Sequence, residues 1–265
     1  MDLKLNGKRA VVTGGSGGIG KAVARCLTSE GVAVVIGSRK EEPLKATAAE
    51  LSTGGARVIP ITVDTGDDGS VEAFVAKAVR VLGGIDILVN GAAHPSGHAK
   101  APGVLEVTGA EFFDDMNIKV LGYLRMIRAV APVMKIHGWG RVINIDGLGS
   151  RMTGSVLTSM RNAAVVALTK NAADELGSYG INVSGVSPGP VRTEATRGAL
   201  SEQAHRKNMS VAELEVKMAE VHSIGRIVTA DEVASLVTWL ASPLSIAVTG
   251  DVVACGGGVK GAIYY

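Results

Sequence analysis

Thr13–Gly14–Gly15–Ser16–Gly17–Gly18–Ile19–Gly20 decides how this chain folds. It follows the apolar run Ala10–Val12 and opens a segment, Ile19–Glu30, in which Ile19, Val23, Cys26 and Leu27 recur at helical spacing. Gly31 then stands where a helix commonly ends in the left-handed conformation. A strand, a glycine turn and a helix in that order present bare main-chain N–H groups and a helix N-terminus to an anion, with no Cβ in the way. Gly14, Gly15, Ser16, Gly18, Ile19 and Gly20 are therefore candidate phosphate contacts.

Beyond this turn the same rhythm continues. Val32–Ile36, Val58–Val63, Ile85–Val89, Arg141–Ile145, Ile181–Val186 and Asp251–Ala254 are nearly continuous apolar runs of strand length, as expected of strands covered on both faces. Helical patterns fit Pro43–Ser52, Val71–Leu82, Ala110–His137, Arg161–Gly177 and Asp231–Ser242. Strand and helix alternating with right-handed crossovers predict an α/β fold: a doubly wound parallel sheet of about seven strands with helices on both faces. No linker or repeat divides the chain, so residues 1–265 read as one nucleotide-binding domain. One polar helical segment, Glu194–Ser223, breaks the alternation just after Pro188–Gly189–Pro190. At the carboxyl end of a strand it fits either a substrate lid or an ordinary amphipathic hairpin.

Composition narrows the class. Of 265 residues 46% are hydrophobic and 20% charged, enough to bury a core without disulfides or metals, and no His/Cys/Asp cluster has metal-ligand spacing. The net charge of +2 argues against nucleic acid or an acidic membrane as the partner. With no signal-like or membrane-length apolar stretch, a cytoplasmic protein acting on a small molecule is the expectation. Thirty-five glycines in so apolar a chain mark tight turns or close approaches rather than disorder.

The end of the second strand speaks to which nucleotide is held. About 20 residues past the glycines an acidic side chain would accept from a ribose 2′-hydroxyl. Gly37–Ser38–Arg39–Lys40 offers none; Arg39, with Lys40 and the Ser38 hydroxyl, instead complements a 2′-phosphate, which points to NADP(H).

Taken together these stretches resemble the short-chain dehydrogenase/reductase family over nearly the whole chain. Thr13–Gly20 matches its TGxxxGxG motif, and Asp64 in Val63–Asp64–Thr65 matches the aspartate that contacts adenine. Asn90–Gly91–Ala92–Ala93 resembles the family's NNAG motif with two substitutions. Asn117 matches the helix asparagine of the catalytic tetrad, and Pro188–Gly189–Pro190–Val191–Arg192–Thr193 the PG motif beside the nicotinamide. The resemblance implies a Rossmann-type sheet, NAD(P) binding through Asp64, Thr65, Asn90, Gly91, Ala92, Pro188, Gly189, Val191 and Thr193, and a homo-oligomer, a tetramer or dimer.

The resemblance fails at the chemistry. The family's tyrosine carries the proton, a lysine four residues on lowers its pKa, and a serine orients the substrate oxygen. Aligned on Ala163–Ala164–Val165–Val166–Ala167–Leu168–Thr169–Lys170, the tyrosine position falls on Thr158 and the lysine position on Asn162. The serine position falls on Asp146 or Gly147, so of the four only Asn117 is kept. None of the four tyrosines lies near that helix start: Tyr123 is six residues past Asn117 on a different face, Tyr179 follows the helix, and Tyr264 and Tyr265 are terminal. Asp146, at a strand end where such sheets bind ligands, is either an acid/base or the cap of an Asp-Gly turn. His94 and His98 follow the fourth strand and read as proton carriers or as solvated loop residues; Arg151 and Arg161 read as surface cations or as a hint of an anionic substrate. Three functions remain open. The first is an NADP(H)-dependent oxidoreductase with a non-standard site of Asn117, Asp146, Thr158 and Asn162. The second is a dehydratase, isomerase or aldol-type enzyme using Asp146. The third is an inactive nucleotide-binding subunit, a partner of an intact homologue.

Overall fold

Main-chain pairing in the computed structural model follows from the apolar runs. The structure describes residues 1–53, 55–94 and 103–260, with the side chains of Ala195, Arg197 and Ala199 left aside. Seven strands pair in parallel: β1 (Arg9–Thr13), β2 (Ala33–Ser38), β3 (Val58–Thr62), β4 (Ile87–Asn90), β5 (Gly140–Ile145), β6 (Ile181–Pro188) and, counting a short parallel pair inserted between them, β9 (Val252–Cys255). The spatial order β3-β2-β1-β4-β5-β6-β9 reverses direction between β1 and β4. In such a sheet the crevice at that switch point, beyond the carboxyl ends of the strands, is where ligands bind.

Both faces are covered because both faces are apolar. Ala10, Val12, Val34, Ile36, Val89 and Ile143 pack on one side against Val23 and Leu27 of α1 (Gly18–Ser29), Leu44 of α2 (Glu41–Leu51) and Val237 of α9 (Ala230–Leu240). Val11, Val35, Leu88 and Val142 point the other way, onto Phe74 of α3 (Asp68–Leu82), Met126 and Val130 of α5 (Gly122–His137) and Ala173 of α6 (Val156–Leu176). Neighbouring residues thus serve opposite cores, and each fully buried Val, Leu or Ile contributes about 1.5–3 kcal/mol.

Several helices differ from their expected bounds, α2 beginning at Glu41 rather than Pro43 and α3 at Asp68 rather than Val71. The pattern over Ala110–His137 is not one helix: α4 (Gly109–Met116) and α5 are joined by a π-type turn over Asn117–Leu121. Such turns are local widenings, often at functional sites. Helix α6 begins at Val156 rather than Arg161, because the Ser155 side chain accepts from the Thr158 N–H and caps it. Helix α9 begins at Ala230, where Thr229 and Glu232 form a reciprocal capping box. The segment after β6 forms β7 (Val191–Arg192), α7 (Glu194–Arg206) and α8 (Val211–Ala219), and β7 pairs in parallel with β8 (Val228–Thr229). Leu200, Ala204 and Leu214 give α7 and α8 a small core of their own.

Candidate active site

At Gly14, Gly15 and Gly20 the glycine turn is packed too closely to admit a side chain. Gly14 has φ +72°, and a Cβ there would stand 2.7 Å from the carbonyl oxygen of Gly91. A Cβ on Gly20 would collide with the carbonyl oxygen of Gly14. Thr13 holds the adjoining turn: its hydroxyl accepts from the N–H groups of Gly91 (3.1 Å) and Ala92 (3.3 Å). The Gly15 N–H donates to Gly37 O and the Thr47 hydroxyl to Ser16 O, so the turn is fixed on both sides. Ile19 lies at the second position of α1, and Gly18 lies 3.6 Å, as a Cβ, from the methyl group of Thr193. Arg39 and Lys40 are exposed at the end of β2, without an ionic partner among the described residues, and the Ser38 hydroxyl donates to Lys40 O.

The other expected contact residues sit in different environments. The carboxylate of Asp64 accepts from the Gly66 N–H, and the Thr65 hydroxyl is spent on Ile118 O. Asn90 is fully buried, donating to Asn144, which in turn donates to Thr169 of α6; its side chain belongs to the core and only its main chain reaches the strand end. Asn117 donates through Nδ2 to Gly66 O at 3.1 Å, tying the π-type turn to the loop between β3 and α3.

A cavity of about 670 Å³ opens at the carboxyl ends of β4, β5 and β6. Ile19 and Gly91 line it from the glycine-turn side, Pro188, Gly189, Val191 and Thr193 from the end of β6 and the segment through β7, and Leu200 and Met218 from α7 and α8. Asp146, Thr158 and Asn162 line it as well, so three of the four expected catalytic positions meet there and Asn117 does not. Thr158 and Asn162 are one helical turn apart on α6. Asp146 continues β5, its N–H donating to Val186 O. One carboxylate oxygen accepts from Ser187 at 2.5 Å and from Ser150 at 3.3 Å; the other is buried with no partner among the described residues. Burial pushes this carboxyl above the usual range, against the opposing pull of the Ser187 hydrogen bond and the Lys119 charge.

Lys119 is the residue that sequence reasoning passed over. It lies in the π-type turn, is 4% exposed, and donates from Nζ to Asp146 O at 2.6 Å and to Asn162 Oδ1 at 2.8 Å. An ammonium therefore stands against the Asn162 side chain, delivered by a different element from α6. Burial and the neighbouring Arg161 charge push Lys119 down to about 7, with Asp146 and Asp115 opposing. A signal was present: a cation inside the apolar run Ile118–Leu121 has to be buried or strongly bent outward.

Tyr123 also corrects the expectation. The helix face away from Asn117 is the one turned to the cavity, and Tyr123 lines it, fully buried, with its hydroxyl donating to Ile145 O at 3.0 Å. Burial drives this phenol upward, beyond use as an acid near neutrality. Arg161 is not a surface cation: it is 5% exposed and paired with Asp115 at 2.5 Å. Arg151 donates to Val252 O. His94 Nε2 lies 3.0 Å from Asp114 rather than being solvated, while His98, Tyr264 and Tyr265 lie outside the described residues. Among the described residues no group of three or more His, Cys, Asp or Glu side chains could hold a metal, and no helix is long and apolar enough to cross a membrane.

Comparison with known proteins agrees with this layout. A family model described as enoyl-(acyl carrier protein) reductase matches residues 14–260. The short-chain reductase protein NovJ of Streptomyces niveus is 33% identical over 250 residues, 94% of this chain and 92% of its own. The crystal structure of L-sorbose reductase from Gluconobacter frateurii, complexed with NADPH and L-sorbose, superposes with a TM-score of 0.93 at 26% identity, covering 99% of this chain and 100% of that one. An actinorhodin polyketide ketoreductase variant with NADPH gives a TM-score of 0.88 at 31% identity, covering 96% and 98%. A match of that extent, on a sheet with this strand order and this glycine turn, makes the chain a member of the short-chain dehydrogenase/reductase family.

Proposed function

We propose that the protein is an NADP(H)-dependent oxidoreductase of small molecules whose non-standard site is built on Asp146, Thr158 and Asn162, with Asn117 as a positioning residue. The observation that carries this reading is a single cavity bounded at one end by the glycine turn and at the other by these polar side chains. The residues fit the dinucleotide: Gly14 and Gly20 allow the main chain to pack into a tight turn at a helix N-terminus, where a Cβ would strike the backbone of Gly91 or Gly14, and two cations without an ionic partner among the described residues stand at the end of β2. Gly14, Gly15, Ser16, Gly18, Ile19 and Gly20 would hold the pyrophosphate, Ser38, Arg39 and Lys40 the 2′-phosphate, and the Asp64–Thr65 turn the adenine. Asn90, Gly91 and Ala92 through their main chain, with Pro188, Gly189, Val191 and Thr193, would hold the nicotinamide half. When bound, the reduced cofactor supplies a hydride.

Around that hydride the chain's own groups orient and protonate. Thr158 and Asp146 line an otherwise mostly apolar cavity in which a substrate would be held, and one oxygen of Asp146 is buried without a partner among the described residues. Asn162, already accepting from Lys119, keeps its amide N–H groups to donate. NADPH in solved relatives supports the cofactor. Titration of intrinsic fluorescence tests it: NADPH binds at least about tenfold tighter than NADH, a difference of about 1.4 kcal/mol. Equal affinities would remove the 2′-phosphate reading.

A second reading, non-redox chemistry on Asp146, draws support from the raised carboxyl and its unpartnered oxygen. Turnover without nicotinamide would favour it. We further propose one nucleotide-binding domain over residues 1–265, with Glu194–Ser223 as a lid because Leu200, Gln203 and Met218 line the cavity. Exposed Phe113, Leu121 and Leu124 on α4, the π-type turn and α5 support a homo-oligomer, whose mass in solution light scattering checks.

A further inference from the structure

Two groups of the cavity meet at one nitrogen. Lys119 Nζ gives one hydrogen bond to Asp146 O and a second to Asn162 Oδ1, and an ammonium has three N–H donors. The third has no protein acceptor among the described residues, and Lys119 lines the cavity that also holds Thr158, Asn162 and Asp146. Burying a cation with one donor unused is expensive, and a fold that needed only an apolar contact at this position would be better served by methionine. The charges around it are mixed: Asp146 on the end of β5, Asp115 on α4, Arg161 on α6 and, one turn along, the phenol of Tyr123. The two carboxylates hold a proton on Nζ while burial and Arg161 push it off, so the nitrogen is balanced to exchange it.

We infer that Lys119 is the proton donor of this enzyme, acting from the π-type turn in place of a tyrosine on α6, on a substrate whose carbonyl or imine carbon receives hydride. This rests on the reductase reading of the cavity. The step balances with a reduced nicotinamide as the hydride source. Hydride adds to carbon, the C=O or C=N π pair moves onto oxygen or nitrogen, and that atom takes a proton from Nζ. The N–H bonding pair stays on Lys119 as a neutral amine, which regains a proton from water entering the cavity. In the oxidative direction the amine accepts the hydroxyl proton. Asn162 and the Asp146 carbonyl act as positioning groups that hold Nζ still.

Two measurements test it. In cofactor-free protein carrying 15N-labelled lysine, one side-chain nitrogen titrates near pH 7, and that resonance is absent from Lys119→Met. A wild-type spectrum in which every lysine stays protonated above pH 9 overturns the proposal. With NADPH and a panel of ketones and imines, turnover falls as pH rises through the same midpoint, because the donor must be protonated. Lys119→Met lowers kcat by about 10²–10⁴-fold while NADPH affinity stays within about threefold. Lys119→Arg keeps the charge but holds its proton throughout, so it loses turnover as well, and its residual rate no longer falls above pH 7. Either variant turning over at the wild-type rate, or Lys119→Arg keeping the wild-type pH profile, rejects the assignment. If wild type binds NADPH yet reduces nothing on the panel, the reductase reading fails and takes the donor role with it; the lysine resonance still decides whether a poised amine is present.

Discussion

The two ends of the cavity are built from different materials. On the glycine-turn side the structure is main chain packed so closely that a Cβ at Gly14 or Gly20 would strike the backbone of Gly91 or Gly14. At the opposite end side chains from β5, α6 and the π-type turn line the cavity. Main-chain packing fixes residue type where a Cβ would strike neighbouring backbone, as at Gly14 and Gly20. A side-chain site fixes only where an atom must be, and more than one element can reach that point. The first kind is therefore conservative in sequence position, and the second can move a charge from one helix to another without changing the fold.

If that contrast holds, the largest loss of turnover comes from the side-chain end. Asp146→Asn lowers kcat by about 10²–10⁴-fold and leaves NADPH affinity unchanged, since the carboxylate lies apart from the glycine turn. The substitution also removes a charge that holds the proton on Lys119, so the lysine titration moves below 7. Full activity would take Asp146 out of the mechanism and leave it as the acceptor for Ser187 and Ser150.

The main-chain end fails differently. Gly20→Val drives side-chain atoms into the carbonyl of Gly14, so the turn must open. NADPH affinity falls by at least about 100-fold, and overpacking of about 1–3 kcal/mol lowers the melting midpoint by several degrees. Unchanged binding in a folded variant would break the comparison, because it would mean that the cradle does not depend on the missing Cβ.

These contrasts also explain what was readable from sequence. The strand order, both helix layers and the glycine turn follow from apolar runs and from glycines at fixed spacing, signals that survive without any tertiary knowledge. That Thr158 and Asn162 belong to one cavity was readable too, because they stand one turn apart near the start of α6. Lys119 and Tyr123 were not. Judged against Asn117 they lie on another side of the helix, and only the packing of α5 on β5 shows that this side faces the cavity. Which of its two readings Arg161 takes was not readable for a related reason: its partner, Asp115, is 46 residues away on a different helix. Spacing describes one element at a time, whereas a relocated charge is a relation between two.

A smaller effect is expected where the dinucleotide meets exposed side chains. Arg39→Ser removes a charge-assisted contact to the 2′-phosphate, worth about 1.5–3 kcal/mol, so NADPH affinity falls about 10–100-fold. NADH affinity stays within about twofold in the same titration. Parallel loss of both would place Arg39 in general charge steering rather than in recognition of the phosphate.

The smallest effect is expected from putting the family's pair back. In a chain that had merely lost its tyrosine and lysine, Thr158→Tyr with Asn162→Lys would restore ketone reduction strongly. Here the new ammonium would displace an acceptor that now lies 2.8 Å from Lys119 Nζ, placing two cations against each other in a buried site. Like charges at that range disfavour one another's protonated forms, and Arg161 already pushes in the same direction. The double variant therefore gains less than about tenfold in turnover, the scale of about one pKa unit of mutual repulsion, 1.4 kcal/mol. Adding Lys119→Met to it removes the competing charge and frees the new lysine to support the new tyrosine, so the triple variant exceeds the double in the same carbonyl assay. A double variant that already matches the triple would show that Lys119 does not occupy the lysine's place. The difference between the two variants measures how far the site has been rebuilt around the other helix.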